Sequence, residues 1–207
     1  MYKCILFDID GTIIDTEKAM INSLQKLLKL EQGVNYSEDE LSFALGIPGY
    51  VALQRLNILN IQDAAKKWNE YLKEFYSDIT VFSGLEEVIK KLYETDVTIG
   101  IVTSKTKQEL IDDFYPFGIN DYFDYIVCAD DTVLHKPEAE PILKCLELTK
   151  TLPSETIYIG DSIYDMQCAQ NAGIDFALAL WGAKNQDLNA TIKLNHPKEI
   201  LNIIKIN

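Results

Sequence analysis

Residues 3–12 read KCILFDIDGT, a mainly apolar run of five followed at once by Asp8-Ile9-Asp10-Gly11-Thr12. A short apolar run of this kind suits a strand buried on both faces, as in parallel sheets. Asp8 and Asp10 lie two residues apart, so at a strand end both carboxylates face the same side. Gly11 suits the sharp turn that must follow. The same pattern recurs along the chain. Apolar runs at 97–102, 125–128, 156–159 and 176–180 complete a set of five predicted strands. Thr103-Ser104-Lys105 follows the second, and His135-Lys136-Pro137 lies in the loop after the third. Gly160-Asp161-Ser162 follows the fourth, with Asp165 four residues beyond Asp161.

Helical patterns at 83–95, 107–115, 139–150 and 162–172 separate these runs. In the first of them Leu85, Val88, Ile89 and Leu92 make one apolar stripe, and Ser83 and Glu86 are spaced as a capping box. Short apolar strands alternating with helices predict an α/β fold, a Rossmann-like parallel sheet covered on both faces. The alternation fails between Asp15 and Thr80, which contains no convincing strand and reads as about four helices. Ser37 and Glu40 are spaced as another capping box there, and Gly33, Gly46, Pro48 and Gly49 punctuate the stretch. The expected organisation is therefore a core of residues 1–14 and 81–207, with a helical cap inserted at 15–80.

Composition narrows the partners. Of 207 residues, 47% are hydrophobic and 25% charged, enough to bury a real core. The formal charge of −13 and the lack of a Lys/Arg cluster argue against nucleic acid. Arg55 is the single arginine, so recognition by an arginine cluster is excluded. Cys4, Cys128, Cys145 and Cys168 lack any C-x-x-C spacing and are expected as buried free thiols. The opening residues resemble a strand rather than a signal peptide, and no apolar run nears the ~20 residues of a membrane span. A cytoplasmic protein, monomeric or homodimeric, is expected.

Ligands of open parallel sheets bind beyond the carboxyl ends of the strands. That edge would gather Asp8, Asp10, Thr103, Lys136, Asp161 and Asp165. Like charges ~4 Å apart repel by about 4 kcal/mol at an effective dielectric near 20, so such a cluster needs a dication. All-oxygen ligands indicate Mg²⁺ or Ca²⁺, with Mg²⁺ favoured where phosphate oxygens complete the shell. Paired carboxylates can divide nucleophilic attack from proton transfer. Thr103 offers a hydroxyl to a phosphoryl oxygen, and Lys136 a compact charge. Lys105 reads as a solvated rim residue, and His135 and His196 as turn or surface residues. Ser162 reads as a helix cap, and Arg55 as structural more than ligand-binding.

DIDGT at 8–12, IVTS at 101–104, KP at 136–137 and GDSIYD at 160–165 resemble, in order, the four motifs of the haloacid dehalogenase superfamily. The first alone should arise by chance about once per thousand chains of this length. The resemblance implies that Asp8 is a nucleophile forming an aspartyl-phosphate and a ligand of Mg²⁺. It implies that Asp10 is the general acid and then base, with its backbone carbonyl on the metal. Thr103 and the Ser104 N–H would bind the phosphoryl group, Lys136 would neutralise nucleophile and phosphate, Asp161 would bind the metal, and Asp165 would orient water or Lys136. A helical cap after the first motif, KPEAEPI at 136–142, DMQCAQNAGI at 165–174 and Trp181-Gly182 are similar to phosphoglycolate-phosphatase-like and β-phosphoglucomutase-like members. Dehalogenases lack the second acid represented by Asp10. Mutases of this group carry an arginine in the cap loop, where this chain has Gly46-Ile47-Pro48-Gly49. The expectation is thus a Mg²⁺-dependent phosphatase acting on a small phosphorylated metabolite. A phosphomutase is the alternative, and a phospho-acceptor signalling module a more distant one.

Overall fold

The computed structural model describes residues 2–45 and 47–204. Gly46, the residue on which the reading of the cap loop turned, lies outside the described residues. Six parallel strands form the sheet: β1 (Cys4–Phe7), β4 (Thr98–Val102), β5 (Tyr125–Val127), β6 (Thr156–Gly160), β7 (Asp175–Ala179) and β8 (Ile192–Leu194). Their spatial order is β5-β4-β1-β6-β7-β8. A further pair, β2 (Ile14–Asp15) and β3 (Thr80–Val81), is antiparallel and brings together the two ends of the helical stretch between them. The edge strand β8 and this two-residue pair were not among the predicted strands. They are too short, and in β8 too polar, to leave a pattern.

The central strand β1 pairs Phe7 with Ile101 on one side and Ile159 on the other. Its side chains alternate between two layers. Ile5 and Phe7 join Leu85, Val88, Ile89 and Leu92 of α5 (Leu85–Tyr93) in one core. Cys4 and Leu6 join Ile142 and Cys145 of α7 (Glu140–Thr149) and Cys168 of α8 (Ile163–Ala172) in the other. All four cysteines are buried and free. At about 25 cal/mol per Å² of apolar surface, the two layers supply the main drive for the sheet to form. The small helix α9 (Ile200–Ile203) closes the first layer through Ile200.

Two local expectations need correction. No capping box forms at Ser83: α5 begins at Leu85 behind Gly84, whose φ of +85° makes the tight entry without a side-chain cap. The single helix expected at 107–115 is instead a short α6 (Lys107–Glu109) running into a π-helical turn at Leu110–Phe114.

Helices α1 (Glu17–Gln32), α2 (Glu38–Leu41), α3 (Gly49–Arg55) and α4 (Ile61–Leu72) lie between β2 and β3. The Ser37–Glu40 capping box is present. Leu24, Leu27, Leu28, Leu41, Leu53 and Trp68 bury one another there, a third apolar cluster separate from the sheet's two. Trp68 settles its indole N–H on Ser23 Oγ at 2.9 Å. Among the described residues, no helix is long and apolar enough to cross a membrane.

Candidate active site

The chain runs from β1 to β4 and β5 on one side, then returns to β6, β7 and β8 on the other. Strand order therefore reverses at β1, and the crevice beyond the carboxyl ends of β1 and β6 is the switch point where such sheets bind ligands. Asp8 leaves β1 there, and Asp161 leaves β6.

Lys136 links the two halves of this edge. It is 4% exposed. Its Nζ lies 2.8 Å from Asp8 Oδ1 and 2.7 Å from Asp165 Oδ1, and donates to the Tyr158 hydroxyl at 3.1 Å. Three acceptors match the three protons of an ammonium group. Burial opposes the charge on Lys136, but Asp165 and Asp8 outweigh it and raise its pKa. Asp165 is fully engaged. Its Oδ2 takes the Ser162 hydroxyl (2.5 Å) and N–H (3.0 Å), while Oδ1 also accepts from Tyr158 (3.0 Å).

The remaining acids are less well compensated. Burial and the Asp165 charge push Asp8 up from its ordinary 3.8 to about 7, against the pull of Lys136. Burial, then Asp165 and Asp8, hold Asp161 well above the carboxylate range, and Thr12 returns only one hydrogen bond to it, at 3.1 Å. Asp8, Asp161 and Asp165 each bring an oxygen within 4.8 Å of the others. Hard oxygen donors with a deficit of positive charge are what a divalent cation such as Mg²⁺ satisfies, so these residues fit one. Gly11 keeps the pocket open. Its φ is +75°, and a Cβ there would sit 2.4 Å from Asp161 Oδ2.

Asp10 lines the same cavity, of about 600 Å³, but faces different partners: Oδ1 accepts from the Thr16 hydroxyl at 2.8 Å and lies 3.0 Å from Lys105 Nζ. Thr103 is buried at the end of β4, its hydroxyl accepting the Lys105 N–H at 3.2 Å, and Ser104 lines the cavity. The structure thus brings all seven predicted site residues to one sheet edge. Lys105 is a correction: it is not a solvated rim residue but 6% exposed, between Asp10 and Asp113. Asp113 and Tyr158 escaped sequence reading, since an acid in a helical run and an aromatic in a strand carry no sign of their partners. Arg55 does not line the main cavity, although Tyr164 and Phe43, the two side chains it contacts, do. It donates to the Tyr164 hydroxyl at 3.2 Å, stacks over Phe43 and borders a smaller cavity of about 230 Å³. His135 packs edge-on against Tyr50 beside that smaller cavity.

A doubly wound sheet with a carboxylate cluster and a buried lysine at its switch point defines an α/β protein with its ligand site at that edge. Residues 5–179 match the pattern of the haloacid dehalogenase-like hydrolases, and the chain belongs to that family. A Caldanaerobacter subterraneus protein provisionally named pyrophosphatase PpaX is 33% identical over 178 residues, covering 86% of this chain and 81% of its own. The pyrophosphatase PpaX of Halalkalibacterium halodurans is 26% identical, covering 88% and 86%. The crystal structure of a Lactobacillus plantarum protein provisionally named a phosphoglycolate phosphatase superposes with a TM-score of 0.90 at 27% identity, over 99% of this chain and 100% of the other. The chain is accordingly a phosphatase of this family.

Proposed function

We infer that this enzyme is a Mg²⁺-dependent phosphatase that hydrolyses a small phosphomonoester through an aspartyl-phosphate on Asp8. The observation that carries the reading is the contact of Asp8 Oδ1 with buried Lys136 at 2.8 Å, at the switch point of the sheet. The cation would be held by Asp8, Asp161 and the Asp10 carbonyl, and when bound it screens carboxylate from phosphate. In the first half-reaction an Asp8 oxygen attacks phosphorus, the ester P–O bond breaks, and protonated Asp10 gives its proton to the leaving oxygen. In the second, Asp10 takes a proton from water as water attacks phosphorus. The Asp8–phosphorus bond then breaks, releasing inorganic phosphate and restoring both carboxyls. Lys136 neutralises charge on Asp8 and the phosphoryl group, Asp165 holds Lys136, and Thr103 with the Ser104 N–H grips phosphoryl oxygens. The core is residues 1–14 and 81–207, and 15–80 is a cap that shields the reaction from bulk water.

Glycine at position 46, where mutases of this group carry an arginine, favours hydrolysis over the mutase alternative. Phosphoglycolate, sugar phosphates, nucleoside monophosphates and, from its relatives' names, pyrophosphate are the substrates to screen. Phosphate release with Mg²⁺ is expected to vanish in EDTA and to fall at least about 10³-fold in Asp8→Asn. Release unchanged in Asp8→Asn overturns the nucleophile. Glucose 6-phosphate formed from bisphosphate-primed β-glucose 1-phosphate, without free phosphate, makes the enzyme a mutase.

A further inference from the structure

Lys105 and Asp113 form an ion pair that the hydrolytic scheme leaves unused. Lys105 Nζ is 2.7 Å from Asp113 Oδ2 and 3.0 Å from Asp10 Oδ1. Asp113 comes from the π-helical turn Leu110–Phe114, is 4% exposed, and its Oδ1 has no hydrogen-bond partner among the described residues. Such an arrangement is a poor device for stability. Buried ion pairs return little net energy, and an unmet carboxylate oxygen costs about 1–3 kcal/mol. Turns of the π type, moreover, occur often at functional sites.

The consequence falls on Asp10. Lys105 and the Thr16 hydroxyl both engage Oδ1, from two different elements, which stops the carboxyl rotating. Oδ2 is then the oxygen without a hydrogen bond among the described residues, in a side chain that lines the cavity. A proton donor is effective only when its atom is held within hydrogen-bond reach of the leaving oxygen. We propose that Lys105, seated by Asp113, is a positioning residue that grips Asp10 by Oδ1 and so presents Oδ2 first to the leaving oxygen and then to water. This rests on the proton-transfer role assigned to Asp10 above.

The test compares substrates that differ in their need for an acid. 4-Nitrophenolate leaves with little protonation, whereas an alkoxide needs a full proton. For Lys105→Met, kcat/KM for an alkyl phosphate is expected to fall about 10²-fold, and for 4-nitrophenyl phosphate less than about tenfold. Because water activation also weakens, 4-nitrophenolate should appear as a burst equal to the enzyme concentration. Asp113→Asn, which keeps the side-chain volume, should give the same pattern more weakly, and Lys105→Arg should recover part of the alkyl phosphate activity. Equal losses on both substrates without a burst, or wild-type kinetics in Asp113→Asn and Lys105→Arg where Lys105→Met does not fold, overturn the proposal. The hydrolytic reading fails separately, if wild-type enzyme releases no phosphate or Asp8→Asn is fully active.

Discussion

An added Cβ at Gly182 would lie 1.8 Å from the carbonyl oxygen of Gly11. The obstacle is backbone, so no rotamer change relieves it, and the turn that carries Asp10 must move. The loop after β7 and this turn are already tied together, for the Trp181 indole N–H donates to the Thr12 carbonyl at 3.0 Å. A displacement near 1 Å costs on the order of 10²-fold in rate. Gly182→Ala should therefore lower kcat by about that factor, while a loss of about 1–3 kcal/mol lowers Tm by about 2–4 °C per kcal/mol. Steady-state kinetics and calorimetry check this, and wild-type kcat in the variant would show that the loop does not set the turn. Gly182 was legible in the sequence only as part of a resemblance. That a residue near the C-terminus abuts Gly11 follows from the pairing of β1, β6 and β7, which no local pattern reveals. Lys105 was misread for a related cause. A lysine after a strand looks solvated until the segment bearing Asp113 folds across it.

At the scale of elements, the N-terminus of α8 shows one side chain serving two tasks. Ser162 caps the helix by accepting the Asp165 N–H at 3.2 Å, and Asp165 completes the capping box while its other oxygen faces Lys136. Ser162→Ala removes one donor to that carboxylate and the cap itself. The expected cost is about 1 kcal/mol, a drop of about 2–4 °C in Tm by calorimetry. An unchanged Tm would place the stability of this corner in Lys136 and Tyr158 instead. Ser162 was readable as a cap because capping is local, a matter of three residues. The failed cap at Ser83 has the same logic in reverse: Gly84, at φ +85°, reaches a conformation that lets the helix start one residue later. Five of the six sheet strands announced themselves by apolar runs long enough to fill a buried strand. Residues 192–194, at the sheet edge with Lys193 exposed, had no such run to show.

Across the whole molecule, an excess of acid meets a site built largely of carboxylates. A carboxyl whose pKa is raised on folding holds its proton more tightly in the folded state. The contribution of Asp8 to stability is therefore fully present below its ordinary 3.8 and is lost as pH rises through about 7. Asp161, raised in the same direction, adds to this loss. A divalent cation competes with those protons, so its stabilising effect must grow over the same window. Tm measured with excess MgCl₂ and with EDTA should differ little at pH 5 and by on the order of 5 °C at pH 8. Taking the difference at each pH cancels titration elsewhere on this acidic surface. A Mg²⁺ effect that is constant across the range would detach the cation from these carboxylates.

The sequence by itself determined the α/β alternation, the helical character of the stretch between Asp15 and Thr80 and the four polar strand ends, because each depends on periodicity or on residues within one turn of each other. It also named the residues that meet at the sheet edge, since parallel strands carry their following loops to one side. Only the tertiary structure decided which oxygen faces which nitrogen: Lys136 between Asp8 and Asp165, Lys105 between Asp10 and Asp113, and Gly182 against Gly11. These contacts join segments that approach one another only once the strands are in register, and their energies depend on burial that no isolated segment possesses.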